Sequence, residues 1–196
     1  MCFVRKITSI AVLFLFIYLS FFYNAYAIRI VAIVGDNVIT DYDVEKLGKM
    51  LCKIDKRLKC NSMENTQMSM ITLAETYLKM EHYKQSKIDL SNFLNDYNKY
   101  KDSLISNLKL NKNDISEQFN DYLFAEFIWN VMISSQLKDR KITDKEIKDY
   151  ANEKKIKINN SNKILIKNEI MQNEYNKQSA KMIKELKKIY FVDIKG

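Results

Sequence analysis

The chain after residue 27 opens with two short β-prone segments and a capped helix. Residues 28–34 are apolar and β-branched apart from Arg29 and Ala32, residues 35–37 carry a Gly-Asp-Asn turn signal, and residues 38–39 resume as a second short strand. Thr40 then forms a Thr-x-x-Asp box with Asp43, which predicts the start of a helix. The N-terminal pattern therefore predicts a β-hairpin that runs directly into a helix.

Apolar residues then recur every three or four positions, which is the helical period. Val44, Leu47 and Leu51 mark one face of the first helix. The same spacing predicts four further helices, over residues 63–86, 91–108, 112–138 and 163–188. A second capping box, Thr143 with Glu146, predicts the start of a short helix over residues 143–152. Residues 189–194 alternate and are β-prone, so we expect them to pair with the hairpin, because their backbone groups need partners. The prediction is a mainly α fold of about six helices, with a small antiparallel sheet joining the two ends.

The first 27 residues have the pattern of a secretory signal. Arg5 and Lys6 form a positive head, residues 7–22 are mostly apolar, and residues 25–27 read Ala-Tyr-Ala, with small residues where a signal peptidase cleaves. The apolar run is about 16 residues long, and a spanning helix needs about 20. We therefore expect cleavage and a single domain, residues 28–196, that acts in the periplasm. The alternative is an uncleaved membrane anchor.

The positive charge of the chain does not point to a nucleic acid. The formal net charge is +8, but it comes mainly from Lys residues that are scattered among Asp and Glu. Nucleic-acid-binding proteins favour Arg and cluster positive charge on one face, so we predict no nucleic-acid partner. A dispersed positive surface could still make weak contact with an anionic membrane. The GxxxxGK[ST] motif is absent, so we predict no nucleotide partner.

Few residues carry candidate chemistry. Cys52 and Cys60 lie eight positions apart and can form a disulfide in an oxidising compartment; two unpaired thiols are the alternative. His82 is the only histidine and lies in a helical stretch that looks solvated, without a nucleophile motif around it. The sequence therefore predicts no catalytic residues, no metal site and no cofactor.

The order of several segments resembles that of a known family. Residues 31–47, VAIVGDNVITDYDVEKL, resemble the opening of the SurA-type periplasmic chaperones, a strand, a turn, a second strand and a helix beginning at an Asp-Val pair. Segments similar to later parts of that family follow in the same order, at residues 70–91, 110–119, 139–150 and 178–196. The resemblance implies a chaperone core in which an N-terminal helical region, residues 28–154, is completed by a C-terminal helix and strand, residues 163–196.

The chain departs from the family at one place. SurA-type proteins usually carry parvulin-type prolyl isomerase domains between these two parts, whereas a short connection joins them here. We therefore expect no enzyme activity. The resemblance implies an ATP-independent periplasmic holdase that binds unfolded outer-membrane β-barrel precursors. One alternative is an assembly factor tethered to the inner membrane by an uncleaved N-terminal helix. The other is a member of the peptidyl-prolyl isomerase family that lacks the catalytic domain.

Aromatic side chains on two of the predicted helices are candidates for client contact. Holdases bind varied sequences through apolar grooves with adaptable Met and aromatic side chains. We predict that Tyr97, Tyr100, Tyr122 and Trp129 contact the client. Core packing is the alternative for each of them, because helical periodicity alone does not separate a packed face from a groove face.

Overall fold

Six helices and three strands make up the part of the chain that the computed structural model describes, which is residues 28–86, 88–159 and 161–195. The helices are α1 (Asp41–Ile54), α2 (Met63–Ser86), α3 (Leu94–Asn107), α4 (Glu117–Leu137), α5 (Asp144–Lys154) and α6 (Lys163–Ile189). The strands are β1 (Ile30–Val34), β2 (Asn37–Thr40) and β3 (Val192–Ile194). The mainly α fold with a small sheet is confirmed. The predicted signal segment, residues 1–27, lies outside the described residues.

The sheet joins the two ends of the described chain, as the sequence predicted. β1 lies in the centre, with β2 and β3 antiparallel on either side of it. Ile33 pairs with Val38 on one side and with Asp193 on the other. Gly35 turns the hairpin with a φ of +57°, and its N–H donates to the carbonyl of Phe191 at 2.9 Å. A residue with a side chain would be strained at this φ, which explains the glycine.

Two helices begin at the capping boxes that the sequence showed. The Thr40 hydroxyl accepts from the N–H of Asp43 at 3.2 Å, and the Asp43 carboxylate accepts from the N–H of Thr40 at 2.9 Å. Thr143 and Glu146 form the same reciprocal pair at the start of α5, at 3.3 and 2.8 Å. Each box satisfies two backbone donors that a helix start otherwise leaves without partners.

Two other helices begin later than predicted, because side chains upstream form turns. The Asp89 carboxylate accepts from the N–H of Ser91 at 2.8 Å, and α3 begins only at Leu94. Before α4 the chain makes a separate 3-10 turn at Lys112–Asp114, and the Ser116 hydroxyl then caps the helix. Asp, Asn and Ser side chains compete with the helix for backbone hydrogen bonds, so a turn forms where the sequence predicted the first residues of the helix.

One hydrophobic core holds the N-terminal and C-terminal parts together. Buried residues of α6, among them Ile183 and Leu186, belong to the same cluster as Ala32 and Val34 of β1. α2 lies in the middle and contacts α1, α4, α6 and the sheet. The C-terminal helix and strand therefore complete the fold rather than extending from it.

α5 packs against the first half of α6 around a second, smaller cluster. Its buried members are Ile147, Ala151, Ile166 and Ile170. Arg140 supports this arrangement because its guanidinium bonds the carboxylates of both Glu146 at the start of α5 and Glu174 of α6. Within the described residues, no helix combines the length and the apolar content that crossing a membrane requires.

Candidate functional site

Five aromatic side chains from α2, α3 and α4 form an aromatic cluster, which comprises Tyr83, Tyr97, Tyr100, Phe124 and Phe127. The ring centres of Tyr97 lie 5.2 Å from Phe124 and 5.4 Å from Phe127. Tyr100 reaches Phe127 at 6.2 Å, and Tyr83 meets Phe124 edge-on at 6.2 Å. Both tyrosines of α3 and both phenylalanines of α4 are spaced by three residues, so each pair shares a helix face. Each such aromatic contact contributes about 0.5–1.5 kcal/mol beyond burial.

The cluster is only partly covered. Tyr100 is 43% exposed and Tyr97 is half-buried. Burial is the main cause that raises the pKa of both phenols above the usual value for tyrosine. Each phenol is therefore protonated throughout the neutral pH range and can donate a hydrogen bond. On α3 only Ile105 is fully buried. A helix with so few buried contacts opens more readily than the rest of a fold, so we expect α3 to open before the helices of the core.

An apolar groove of about 390 Å³ adjoins the aromatic cluster. Phe127 belongs to both, and Phe93 and Val131 supply further apolar walls. The groove has seven lining residues, Phe93, Phe127, Asn130, Val131, Ser134, Ser135 and Lys138. Its volume lies at the lower end of the range of sites that bind small molecules or side chains, about 300–1,000 Å³. The small hydroxyl and amide groups at one wall can bond a peptide backbone, while the apolar walls take side chains.

Tyr122 lies in a different cleft, between α1, α2 and α4. Its ring stacks on Phe119 with centres 6.0 Å apart. The cleft measures about 350 Å³, and Leu58 and Glu75 are among its other walls. Burial, and then the negative charge of Glu126, raise the pKa of Tyr122 to about 12. The structure therefore groups Tyr97 with Tyr100 but separates Tyr122 from their groove.

Trp129 is a core residue. Only 1% of its surface is exposed, and its indole N–H donates to the hydroxyl of Ser179 on α6 at 2.7 Å. A client cannot reach an indole that is packed in this way. The client contact that the sequence suggested for Trp129 is therefore corrected to core packing, and the polar end of the indole is satisfied inside the protein.

A partly buried ion pair links α2 to α4 and was not visible in the sequence. The Lys79 ammonium bonds the Glu126 carboxylate, with 10% and 30% of the two side chains exposed. The Lys79 nitrogen also lies 5.7 Å from the centre of the Trp129 ring, close enough for a cation–π contact. No local sequence pattern marks this pair, because Lys79 and Glu126 lie 47 positions apart in the chain.

His82 is half-buried rather than solvated, so the expectation from the sequence was wrong. Its ring meets the edge of the Trp129 ring, with centres 6.4 Å apart. Burial lowers the pKa of His82 because it disfavours the charged imidazolium. Within the described ranges, no three His, Cys, Asp or Glu side chains are grouped so that they could hold a metal ion.

Cys52 and Cys60 are joined in the structure as a disulfide, with Cα atoms 5.1 Å apart. That separation is normal for a disulfide. The loop is also fixed from α2, because the Asn65 amide donates to the carbonyls of Cys60 at 2.8 Å and Gly48 at 3.1 Å. A Cβ at Gly48 would lie 3.0 Å from the Ser69 hydroxyl, so glycine permits this close approach of α1 and α2.

Comparisons with known proteins do not assign the chain to a family. No protein-family model matches the chain, and no curated protein shows significant similarity to it. The resemblance to the SurA-type chaperones therefore rests on the order of the sequence segments alone.

Proposed function

We propose that the protein is an ATP-independent holdase chaperone of the periplasm that binds unfolded outer-membrane β-barrel precursors. The observation that carries this proposal is the apolar groove beside the partly exposed aromatic cluster. In this proposal Tyr97 and Tyr100 of the aromatic cluster contact the client. Phe93 and Phe127, which line the groove, contact it as well. Strands of β-barrel precursors alternate apolar with polar side chains and carry aromatic residues near their ends, and such a surface accepts the apolar and aromatic members.

In this proposal the unfolded client binds passively, without nucleotide, and α3 moves to admit it. The phenylalanines offer aromatic faces and edges to client rings, and contacts of this kind tolerate many sequences. Since α3 buries little surface, it can shift to admit segments of different size. Release then depends on the client folding elsewhere, because binding only lowers the concentration of the free unfolded chain.

Two features support action outside the cytoplasm. The N-terminal 27 residues have the pattern of a secretory signal, and Cys52 is bonded to Cys60 in the structure. Disulfides form and persist in oxidising compartments such as the bacterial periplasm. Tyr122 remains a candidate for a second client contact in its own cleft.

The experiment is suppression of aggregation by paired aromatic variants. Unfolded β-barrel protein is diluted from urea with the chain of residues 28–196, without nucleotide, and light scattering is followed. The variant F93S/Y100S should need about ten times more chaperone for the same effect, because two large apolar contacts are lost.

The matched control is Y42S/F191S, which removes the same two residue types at exposed positions on α1 and beside β3. It should behave like the unchanged protein. If the unchanged protein fails to suppress aggregation, or if both variants lose equal activity, the groove does not bind clients.

A further inference from the structure

The connection between α5 and α6 carries a concentrated positive charge. Residues 154–168 contain five lysines and no Asp or Glu. We call this segment the basic connection. It comprises the last residue of α5, the loop and the first turns of α6, described for residues 154–159 and 161–168. Four of its five lysines are exposed, and Lys163 is half-buried.

Four aliphatic side chains of the same segment face the solvent. Ile164 and Leu165, in the first turn of α6, are 67% and 61% exposed, and Ile156 and Ile158 in the loop are exposed as well. Scattered single exposed apolar residues are ordinary, but four within ten positions make a patch that calls for a partner. Ile166, in contrast, is buried in the small cluster and anchors the segment to α5.

Side-chain hydrogen bonds hold the loop in a defined turn. The N–H of Asn159 donates to the Asn162 side chain, and the N–H of Asn162 donates to the Asn159 side chain, both at 2.9 Å. The Asn162 amide also donates to the carbonyl of Lys157 at 2.8 Å. The turn therefore keeps the loop, with its two isoleucines and Lys157, next to the start of α6.

Few acids offset this charge. Lys163 bonds Asp144 at 2.8 Å and Lys154 lies 3.6 Å from Glu153. No ion pair involves the remaining three lysines, 155, 157 and 167, among the residues that the structure describes. The hydrogen bond from Lys163, with added positive charge from Lys167 and Lys148, lowers the pKa of Asp144. The surface around the turn therefore has an excess of positive charge.

We propose that the basic connection binds the surface of a bilayer that contains anionic phospholipids. The lysines would contact the headgroup phosphates, and the four aliphatic side chains would enter the boundary between headgroups and acyl chains. Charge complementarity selects this partner, because alternating lysine and aliphatic residues on one surface match both layers of an anionic membrane interface. An acidic polypeptide would match the lysines, but it would leave the projecting aliphatic side chains in water. This proposal does not depend on the chaperone function.

The first test is sedimentation of residues 28–196 with vesicles of phosphatidylglycerol and phosphatidylcholine, and with vesicles of phosphatidylcholine alone. This range is suitable because the buried core and the sheet lie within it. Binding should occur only with the anionic vesicles and should disappear in high salt. The variant K155Q/K157Q/K167Q should bind on the order of one hundred times more weakly, since each lysine near the surface contributes about five-fold.

A matched variant separates this site from the overall positive charge. K177Q/K181Q/K188Q removes three exposed lysines from the second half of α6, and no ion pair involves them within the described residues. It should retain most of the binding. Equal loss in both triple variants would overturn the proposal, because general charge would then explain the binding. Equal unfolding temperatures of the variants check that each is folded.

The aliphatic side chains are tested separately. I164S/L165S should weaken anionic-vesicle binding several-fold while leaving the net charge unchanged. L165W should show a blue shift of its fluorescence with anionic vesicles, against the constant background of the buried Trp129. No shift and no effect of the serine variant would overturn the insertion, and binding to an acidic unfolded polypeptide without binding to vesicles would overturn the membrane as partner.

Discussion

Replacing Lys79 by methionine tests the ion pair that joins α2 to α4. Methionine fills the space of the lysine stem but leaves the carboxylate of Glu126 without its cation. Breaking a buried pair in this way costs about 3–5 kcal/mol. Glu126 keeps 30% of its side chain in water, and water recovers part of that cost. We therefore expect K79M to lower the free energy of unfolding by about 2–3 kcal/mol.

Urea unfolding of K79M, E126L and the double variant K79M/E126L measures this effect. The double variant should lie within about 1 kcal/mol of the unchanged protein, because no unpaired charge remains. The control is K187M, which removes the partner of Glu75 in a more exposed pair with a 3.1 Å contact. It should cost less than about 1 kcal/mol. Equal losses in K79M and K187M, or no recovery in the double variant, would refute the reasoning.

Three further predictions concern the loop, the sheet and the histidine. C52A/C60A should lower the free energy of unfolding by about 2–3 kcal/mol from loop entropy, and alkylation of the exported protein without reductant, followed by mass spectrometry, should find neither thiol labelled. Deleting residues 190–196 removes β3 and leaves the edge of β1 open, so it should abolish cooperative thermal unfolding, and an unchanged melting temperature would contradict the pairing. Burial holds the pKa of His82 below its unfolded value, so the unfolded chain takes up the proton first and stability should fall as the pH drops below about 6.5. H82Q should reduce this fall in urea unfolding at about pH 5.5 relative to about pH 7.5, and an identical fall would contradict it.

The helices and the sheet could be predicted because their signals are local or belong to the chain ends. The capping boxes at Thr40 and Thr143 need only residues three positions away. The β-prone residues 189–194 had one available partner, although α6 continues through Ile189 and the strand begins later. Lys187 and Lys188 favour continuation of the helix to this point, because positive charge stabilises a helix C-terminus.

The site could be predicted only in part, because α4 is apolar on nearly every side. Tyr122 and Trp129 lie seven residues apart and so share one face of α4, but this spacing does not show that Trp129 is covered by α6. Lys79 and Glu126 are 47 residues apart, and only the packing of α2 on α4 brings them together. Tyr97 and Tyr100 of α3 lie in one aromatic cluster, and their contact with a client stays a prediction.

Photo-crosslinking tests the central claim most directly. A photoreactive phenylalanine analogue replaces Tyr100 beside the groove or, as the control, Tyr42 on α1, which is exposed to a similar extent. Each protein is mixed with an unfolded outer-membrane β-barrel precursor, without nucleotide, and illuminated. The account predicts a crosslinked complex from position 100 and little from position 42. Equal crosslinking from both positions, or crosslinking from position 42 alone, would contradict client binding in the groove formed by Phe93 and the second half of α4.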